Sequence, residues 1–310
     1  MNHGKSVTLY TATGNCLRES LCGTHSWCRL LPYGNKEITG RCSNGMLIVD
    51  FIPVKSGLPL LNPYKDRNAN FRHGVNFAVS GATALSVESL TEKDIAMSFT
   101  HSLLSVQLDW MDSHFKSTCS PDCPKYLKNS LFLVGEIGGD DFNYGLKQGR
   151  TIDELRRMRV IGFGATRMTV PGNFPIGCFP SALTKFMTNS ATAYDEYCCV
   201  EDWNNFIMSY NNHLQQAIDE LKREFPDIIL IYGDYYNAVA LGFNKDFLQK
   251  ACCGTGRDYN YNECGDPGVE ACDDASTYIN WDGVHLTQKA YSWLGKWLID
   301  DMLTQLNCHV

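Results

Sequence analysis

The chain has 310 residues, 44% of them hydrophobic, and a formal net charge of −7. A chain of this length can bury the core of one large α/β domain, so we expect a single domain over residues 1–310. No Lys/Arg run is longer than two residues, which argues against a nucleic-acid partner. No apolar stretch approaches the roughly 18–20 residues of a transmembrane segment.

The predicted elements alternate between strands and helices. Residues 1–45, and 1–30 above all, are expected to be irregular, and the apolar run 45–56 fits either a helix or a strand. The later elements are a strand at 75–79, a helix at 102–115, strands at 131–134 and 166–170, a helix at 203–225, a strand at 228–232 and a helix at 287–306. This alternation favours a mostly parallel sheet covered by helices on both faces.

The turns that follow the predicted strands are rich in Gly and Asp. In a parallel sheet, ligands bind at the carboxyl ends of the strands, so these turns should share one rim. They are Ser80-Gly81, Gly138–Asp141, Pro171–Asn173 and Asp234.

Fourteen cysteines are many for a chain of this length. No Cys-x-x-Cys pair occurs, so we expect disulfides, with free thiols as the alternative and no metal site. Disulfides indicate the secretory route, whereas residues 1–10 contain no apolar core of signal-peptide length.

The motif Asp282-Gly-Val-His285 precedes the last predicted helix. A loop can turn this carboxylate onto one imidazole nitrogen and leave the other to take a proton, which is the base half of a nucleophilic hydrolase. The alternative is a loop histidine that is hydrogen-bonded for structure only.

Two glycine turns are candidate anion sites. Gly81, after the strand at 75–79, could offer a backbone amide to an oxyanion, or could serve only tight strand–helix packing. Asp140 and Asp141 make the Gly138-Gly139 turn a poor phosphate cradle, and no third carboxylate is arranged for Mg²⁺.

Several segments together resemble the plant GDSL-type esterase/lipase family, within the SGNH hydrolase superfamily. The resemblance covers about residues 13–300. Its blocks are Leu31–Gly34, Thr39–Gly45, Asn76–Thr83, Gln107–Trp110, Leu131–Gly139, Val170–Cys178, Ala251–Gly254 and Trp281–Thr287.

The resemblance implies a three-layer αβα sandwich of the flavodoxin-like kind. It also implies a secreted enzyme that hydrolyses small esters or acyl lipids without a cofactor, and we expect this enzyme to be a monomer. A Ser in a Gly-Asp-Ser block would attack the carbonyl, with His285 as base and Asp282 orienting it. The amide of Gly81, the Ser amide and an Asn side chain would hold the oxyanion.

The sequence departs from the family pattern at two functional positions. Of the first block, Gly-Asp-Ser-x-x-Asp-Thr-Gly-Asn, only Thr13-Gly14-Asn15 is in place. Ser6 fits as nucleophile only with a three-residue insertion, and the strand that should present it would be absent. Asp140 stands where the family has the oxyanion Asn, and an ionised carboxylate cannot donate a hydrogen bond. A degenerate or truncated first block thus predicts an impaired esterase.

Two alternatives differ from an impaired esterase. The first is an inactive relic of the family that binds esters but does not cleave them. The second is a metal-dependent phosphoesterase that uses Asp140, Asp141 and His285.

Overall fold

A computed structural model provides the structure of the chain. The residues that it describes are 8–12, 32–33, 41–84, 100–128, 130–136, 138–139, 165–243, 245–256 and 258–305.

Among these residues, six parallel strands form one sheet in the order β2-β3-β1-β4-β5-β6. Without the two-residue edge strand β2, this order is that of a flavodoxin-like sheet. The strands are β1 (Thr8–Ala12), β2 (Asn62–Pro63), β3 (Gly74–Asn76), β4 (Ser130–Val134), β5 (Arg167–Pro171) and β6 (Ile229–Gly233).

Strand β1 corrects the expectation that the first 45 residues are irregular. It lies between β3 and β4, with Thr8 paired to Ser130 and Ala12 paired to Val134. The expectation of irregular structure is therefore wrong for residues 8–12. The run Thr-Leu-Tyr-Thr-Ala has β-branched and aromatic residues, but it is short and lies within a Gly- and Cys-rich segment. Strands β2 and β3 lie on one side of β1, and β4 to β6 lie on the other. The strand order therefore reverses at β1, and its carboxyl end is the topological switch point, where ligands bind in such sheets.

Helices cover the sheet on both faces. The long periodic run at 203–225 is helical, as predicted, and the run at 45–56 becomes a helix. The helices are α1 (Ile48–Lys55), α2 (Leu104–Thr118), α3 (Cys123–Leu127), α4 (Pro180–Lys185), α5 (Glu201–Glu224), α6 (Tyr235–Gly242), α7 (Lys245–Leu248) and α8 (Gln288–Gln305).

Strand β4 shows how the three layers are built. Leu131 and Leu133 belong to a core shared with α1 and α8. Phe132 and Val134 belong to a second core, shared with α2 and α5. Successive side chains of a strand point to opposite faces, so a continuous apolar strand packs on both layers. The predicted three-layer αβα sandwich is confirmed.

Four disulfides join cysteines of the described residues. They are Cys119–Cys123, Cys178–Cys199, Cys252–Cys272 and Cys253–Cys264. Cys42 is also disulfide-bonded, whereas Cys198 is an exposed free thiol. In the chain-entropy model, a disulfide that closes a loop of the size of Cys178–Cys199 or Cys252–Cys272 stabilises the folded protein by about 3 kcal/mol.

No helix in the described part of the chain is both long and apolar enough to cross a membrane.

Candidate active site

A tight loop before α8 carries Asp282 and His285. Its backbone folds back on itself, because the Trp281 amide donates to the His285 carbonyl at 2.7 Å and the Thr287 amide to the Ile279 carbonyl at 2.7 Å. At the tip, Gly283 has a φ of +92°, and a Cβ there would overlap the ring of Tyr261. The loop therefore requires glycine at this position.

The preceding cysteine pair fixes the start of this loop. The amide of Cys252 donates to the Asn280 carbonyl at 3.0 Å, and that of Cys253 donates to the Trp281 carbonyl at 2.7 Å. Both cysteines are fully buried and disulfide-bonded. The loop thus rests on a covalently cross-linked support, which limits its freedom before any substrate binds.

Asp282 is held in one orientation by hydrogen bonds. From the described residues, its Oδ1 accepts from the amides of Val284 (3.0 Å) and His285 (2.7 Å). Its Oδ2 accepts from the hydroxyl of Tyr33 at 2.9 Å and lies 2.7 Å from Nδ1 of His285. The carboxylate is buried, so these contacts replace the water that it would bind when exposed. The structure brings the two members of the predicted pair together.

The charge state of Asp282 follows from two opposing effects. Burial alone would raise the pKa of Asp282, but the charge of His285 and the hydrogen bonds from His285 and Val284 outweigh it and hold this pKa below its usual value. Asp282 is therefore a carboxylate at neutral pH. Burial, and next the charge of Asp282, raise the pKa of Tyr261, which stays a neutral phenol there.

The lowered pKa of Asp282 predicts a pH-dependent contribution to stability. Between the folded and unfolded pKa values the unfolded chain binds more protons, so this contribution is complete above about pH 3.9. It is lost as the pH falls through the lower, folded value. We expect the unfolding free energies of the natural chain and of Asp282→Asn to differ most at pH 5–7 and to converge as the pH falls below the folded pKa of Asp282. Urea unfolding followed by circular dichroism measures this, and a difference that does not depend on pH would contradict it.

His285 is partly exposed, with 24% of its side chain accessible. Because Nδ1 faces Asp282, the N–H on that nitrogen fixes Nε2 as the nitrogen that can accept a proton. A buried carboxylate behind an accessible imidazole is the arrangement that a general base requires. The loop geometry can therefore perform the chemistry that the spacing of this motif suggested.

The Ser80-Gly81 turn, after β3, borders the same region. Gly81 has a φ of +73°, which favours glycine. Residues 41–45 link this turn to the loop of His285: the Sγ of Cys42 lies 3.8 Å from the Oγ of Ser80, and the Oγ of Ser43 donates to the Leu286 carbonyl at 2.8 Å. The Gly81 turn and the base therefore flank one short segment.

A buried ion pair holds the 41–45 segment in place. Nε and Nη2 of Arg41 contact the two carboxylate oxygens of Asp50 at 2.6 and 2.7 Å. The Leu47 amide adds a third hydrogen bond to Asp50, at 2.9 Å. Bidentate pairs of this kind fix geometry as well as charge. The segment between Gly81 and His285 is thereby tied to the first turn of α1.

The turn after β5 lies against the glycines that follow β4. A Cβ on Gly139 would lie 2.8 Å from Oδ1 of the buried Asn173. Asn211 of α5 pairs with the backbone of Asn173, accepting from its amide at 2.8 Å and donating to its carbonyl at 2.9 Å. Asn173 and Gly139, from two predicted rim turns, are thus adjacent.

Two predicted site residues, Ser6 and Asp140, lie outside the described residues, as does Asp141. One residue was missed as a contributor to the site: Tyr33, which contacts Asp282. It stands within a block that carries the family resemblance, Leu31–Gly34, but nothing in that block shows what its side chain contacts.

The αβα sandwich and its buried-carboxylate–imidazole pair are features that a hydrolase of the nucleophilic type needs. The chain belongs to the GDSL-like lipase/acylhydrolase family, whose model matches residues 10–298. It is 40% identical over 333 residues to acetylajmalan esterase 1 of Rauvolfia serpentina, covering 96% of this chain and 86% of that protein. It is 42% identical over 277 residues to a GDSL esterase/lipase of Arabidopsis thaliana, covering 83% and 84%. By family, the chain is a hydrolase of carboxylic esters.

Proposed function

We propose that the chain hydrolyses small carboxylic esters or acyl lipids by acyl transfer, and that turnover in this chain is slow. His285 is the general base, Asp282 orients it, and the Gly81 amide is an oxyanion donor. The observation that carries the assignment is the 2.7 Å contact between Asp282 and the partly exposed imidazole of His285. Membership of the esterase family supports the reaction class.

In this mechanism, Nε2 of His285 takes the proton of the attacking hydroxyl as the hydroxyl oxygen bonds to the ester carbonyl. The buried charge of Asp282 stabilises the resulting imidazolium. The imidazolium then gives the proton to the departing alcohol, and the acyl group is released by water in a second cycle. The Gly81 amide would offset the charge that develops on the carbonyl oxygen.

The incomplete nucleophile block limits the rate of turnover in this chain. In the family block, Gly-Asp-Ser-x-x-Asp stands between the strand and Thr-Gly-Asn, whereas here Thr13-Gly14-Asn15 follows Ala12 of β1 directly. Ser6, the candidate nucleophile, precedes β1 in the chain, although the rim lies at the carboxyl end of that strand. Asp140 would also remove an oxyanion donor, a loss of about 3–4 kcal/mol in comparable enzymes. Both features support a slow enzyme.

The relatives and the cysteines suggest a substrate class and a location. One similar protein is named for an acetyl ester, which supports an ester with a small acyl group as the substrate here. The disulfides support passage through the secretory route. We propose that the chain acts there as a monomer, without nucleic acid or cofactor.

Hydrolysis of p-nitrophenyl acetate tests the proposal. We expect the natural chain to turn over at least about 100-fold more slowly than an active relative with an intact Gly-Asp-Ser block, since the loss of one oxyanion donor alone costs that much. His285→Ala and Ser6→Ala should each remove the residual rate, whereas the exposed control His213→Ala should leave it unchanged. A natural chain as fast as the relative, and insensitive to His285→Ala, would refute the assignment.

A second candidate is a relic that binds esters without cleaving them. The direct passage from β1 into Thr13 favours it, because the base would then have no hydroxyl to activate. Isothermal titration with a non-hydrolysable phosphonate analogue would show binding without turnover. The metal-dependent phosphoesterase is not retained, because it rests on Asp140 and Asp141 outside the described residues, and because family membership assigns ester hydrolysis.

A further inference from the structure

Tyr33 reaches the Asp282–His285 pair from a distant part of the chain. Its hydroxyl donates to Oδ2 of Asp282 at 2.9 Å across a sequence separation of 249 residues. The ring is buried and packs edge-on against Trp281, with the two ring centroids 6.2 Å apart. The other three hydrogen bonds to Asp282 from described residues come from its own loop. Tyr33 is therefore the described contact that ties this carboxylate to a separate element.

Tyr33 and His285 share one oxygen. Oδ2 of Asp282 faces both the phenol of Tyr33 and Nδ1 of His285, the latter at 2.7 Å. Burial, and next the charge of Asp282, raise the pKa of Tyr33 far above neutrality, so this group is a neutral donor at any pH at which the protein is folded. Its O–H dipole therefore always has the positive end directed at the Asp282 oxygen that faces the imidazole.

We propose that Tyr33 is a positioning residue of the hydrolase, which orients Asp282 from outside its loop and restrains the basicity of His285. The proposal rests on the function assigned above to that pair. With the phenol in place, part of the carboxylate charge is offset, so the imidazolium is stabilised less than by an otherwise bare Asp282. Without the phenol, the imidazole would gain a proton at higher pH, and less of it would be available as a base at neutrality.

Other titratable groups around Asp282 and His285 also influence the pKa of His285. Tyr261 packs against Gly283 and interacts with the charge of Asp282. Tyr291 of α8 accepts a hydrogen bond from the Leu286 amide at 3.1 Å and interacts with Asp282 and with Glu136, which follows β4. Tyr261, Tyr291 and Glu136 all remain when the Tyr33 hydroxyl alone is removed. A change in the titration of His285 in Tyr33→Phe therefore reports the phenol.

The test is a histidine titration by NMR, which does not require turnover. Side-chain signals of ¹⁵N-labelled protein give the pKa of His285, identified by the signal that is absent from His285→Gln. We expect Tyr33→Phe to raise this pKa by about 0.5 to 1 unit. Tyr210→Phe, which removes the hydroxyl of a buried tyrosine in the α2–α5 core, should not change it. An unchanged or lowered value in folded Tyr33→Phe would overturn the proposal.

A second substitution keeps the test valid if Tyr33→Phe does not fold. Replacing Tyr33 with 3-fluorotyrosine keeps the ring and makes the phenol a stronger donor, so the pKa of His285 should fall. A rise or no change would overturn the proposal. Both variants are compared by the pKa of His285 and not by a rate. The test of Tyr33 is therefore valid even if the chain cleaves no ester. Failure of the proposed function would appear separately, as loss of the dependence of hydrolysis on His285.

Discussion

Insertion of Gly-Asp-Ser-x-x-Asp between Ala12 and Thr13, combined with Asp140→Asn, is expected to raise kcat/KM for p-nitrophenyl acetate by at least about 10³-fold. The structure fixes the insertion point, because β1 ends at Ala12 and its carboxyl end is the switch point of the sheet. The insert would restore the family order of strand, Gly-Asp-Ser and Thr-Gly-Asn while leaving β1 intact.

The expected size of this effect comes from two losses that the variant would reverse. Removal of a nucleophile costs as much as about 10⁶-fold in a serine protease, and removal of one oxyanion donor costs about 10²–10³-fold. These losses are not additive, so a gain of 10³-fold is the lower bound that we expect. The control carries the same insert with Ala in place of Ser. An equal gain in the control, or no gain in either variant, would show that the missing block does not limit this chain.

We call the chain with the insertion and Asp140→Asn the restored chain. In it, Asp282→Asn is expected to lower kcat by about 10⁴-fold with little change in KM. The corresponding substitution in a serine-protease triad has an effect of this size, because the amide holds the imidazole in the wrong tautomer. Here the substitution would also place an amide where Oδ1 and Oδ2 now accept four hydrogen bonds from described residues. Steady-state kinetics of the folded variant measure the effect.

The matched control for that variant is Asp234→Asn, at the end of β6. This carboxylate belongs to the same rim, but its contacts are with the amide and side chain of Asn237 in α6. Asparagine also caps helices well, so the substitution should preserve this turn. We expect kcat to stay within about 3-fold of the restored chain, since Asp234 contacts neither member of the pair. Equal losses in both variants would show that rim charge in general, rather than the orientation of His285, matters.

Much of the fold follows from local patterns in the sequence. The apolar spacing at 203–225 predicted α5, and the apolar run at 131–134 predicted β4, because helix and strand periodicities are properties of short segments. Strand β1 was missed because a run of five residues carries little periodic signal, and its place in the sheet depends on pairing with β3 and β4. Pairing partners distant in sequence decide such a strand.

In the candidate site, too, contacts within one short segment could be predicted, whereas contacts between distant segments could not. Asp282 and His285 lie in one loop, so their spacing alone suggested the contact that the structure shows. Tyr33 lies 249 residues from Asp282, and no local pattern could connect them. Asn173 and Gly139 belong to turns after neighbouring strands, and only the order of β4 and β5 in the sheet brings them together.

Labelling with a fluorophosphonate, followed by peptide mass mapping, tests the central claim most directly. If the base is present and the nucleophile block is incomplete, the natural chain should take up the label only slowly, whereas the chain with the restored block should be labelled rapidly at the inserted serine. That label should depend on His285. Rapid, stoichiometric labelling of the natural chain at one of its own hydroxyls would contradict the account and identify the nucleophile that it uses.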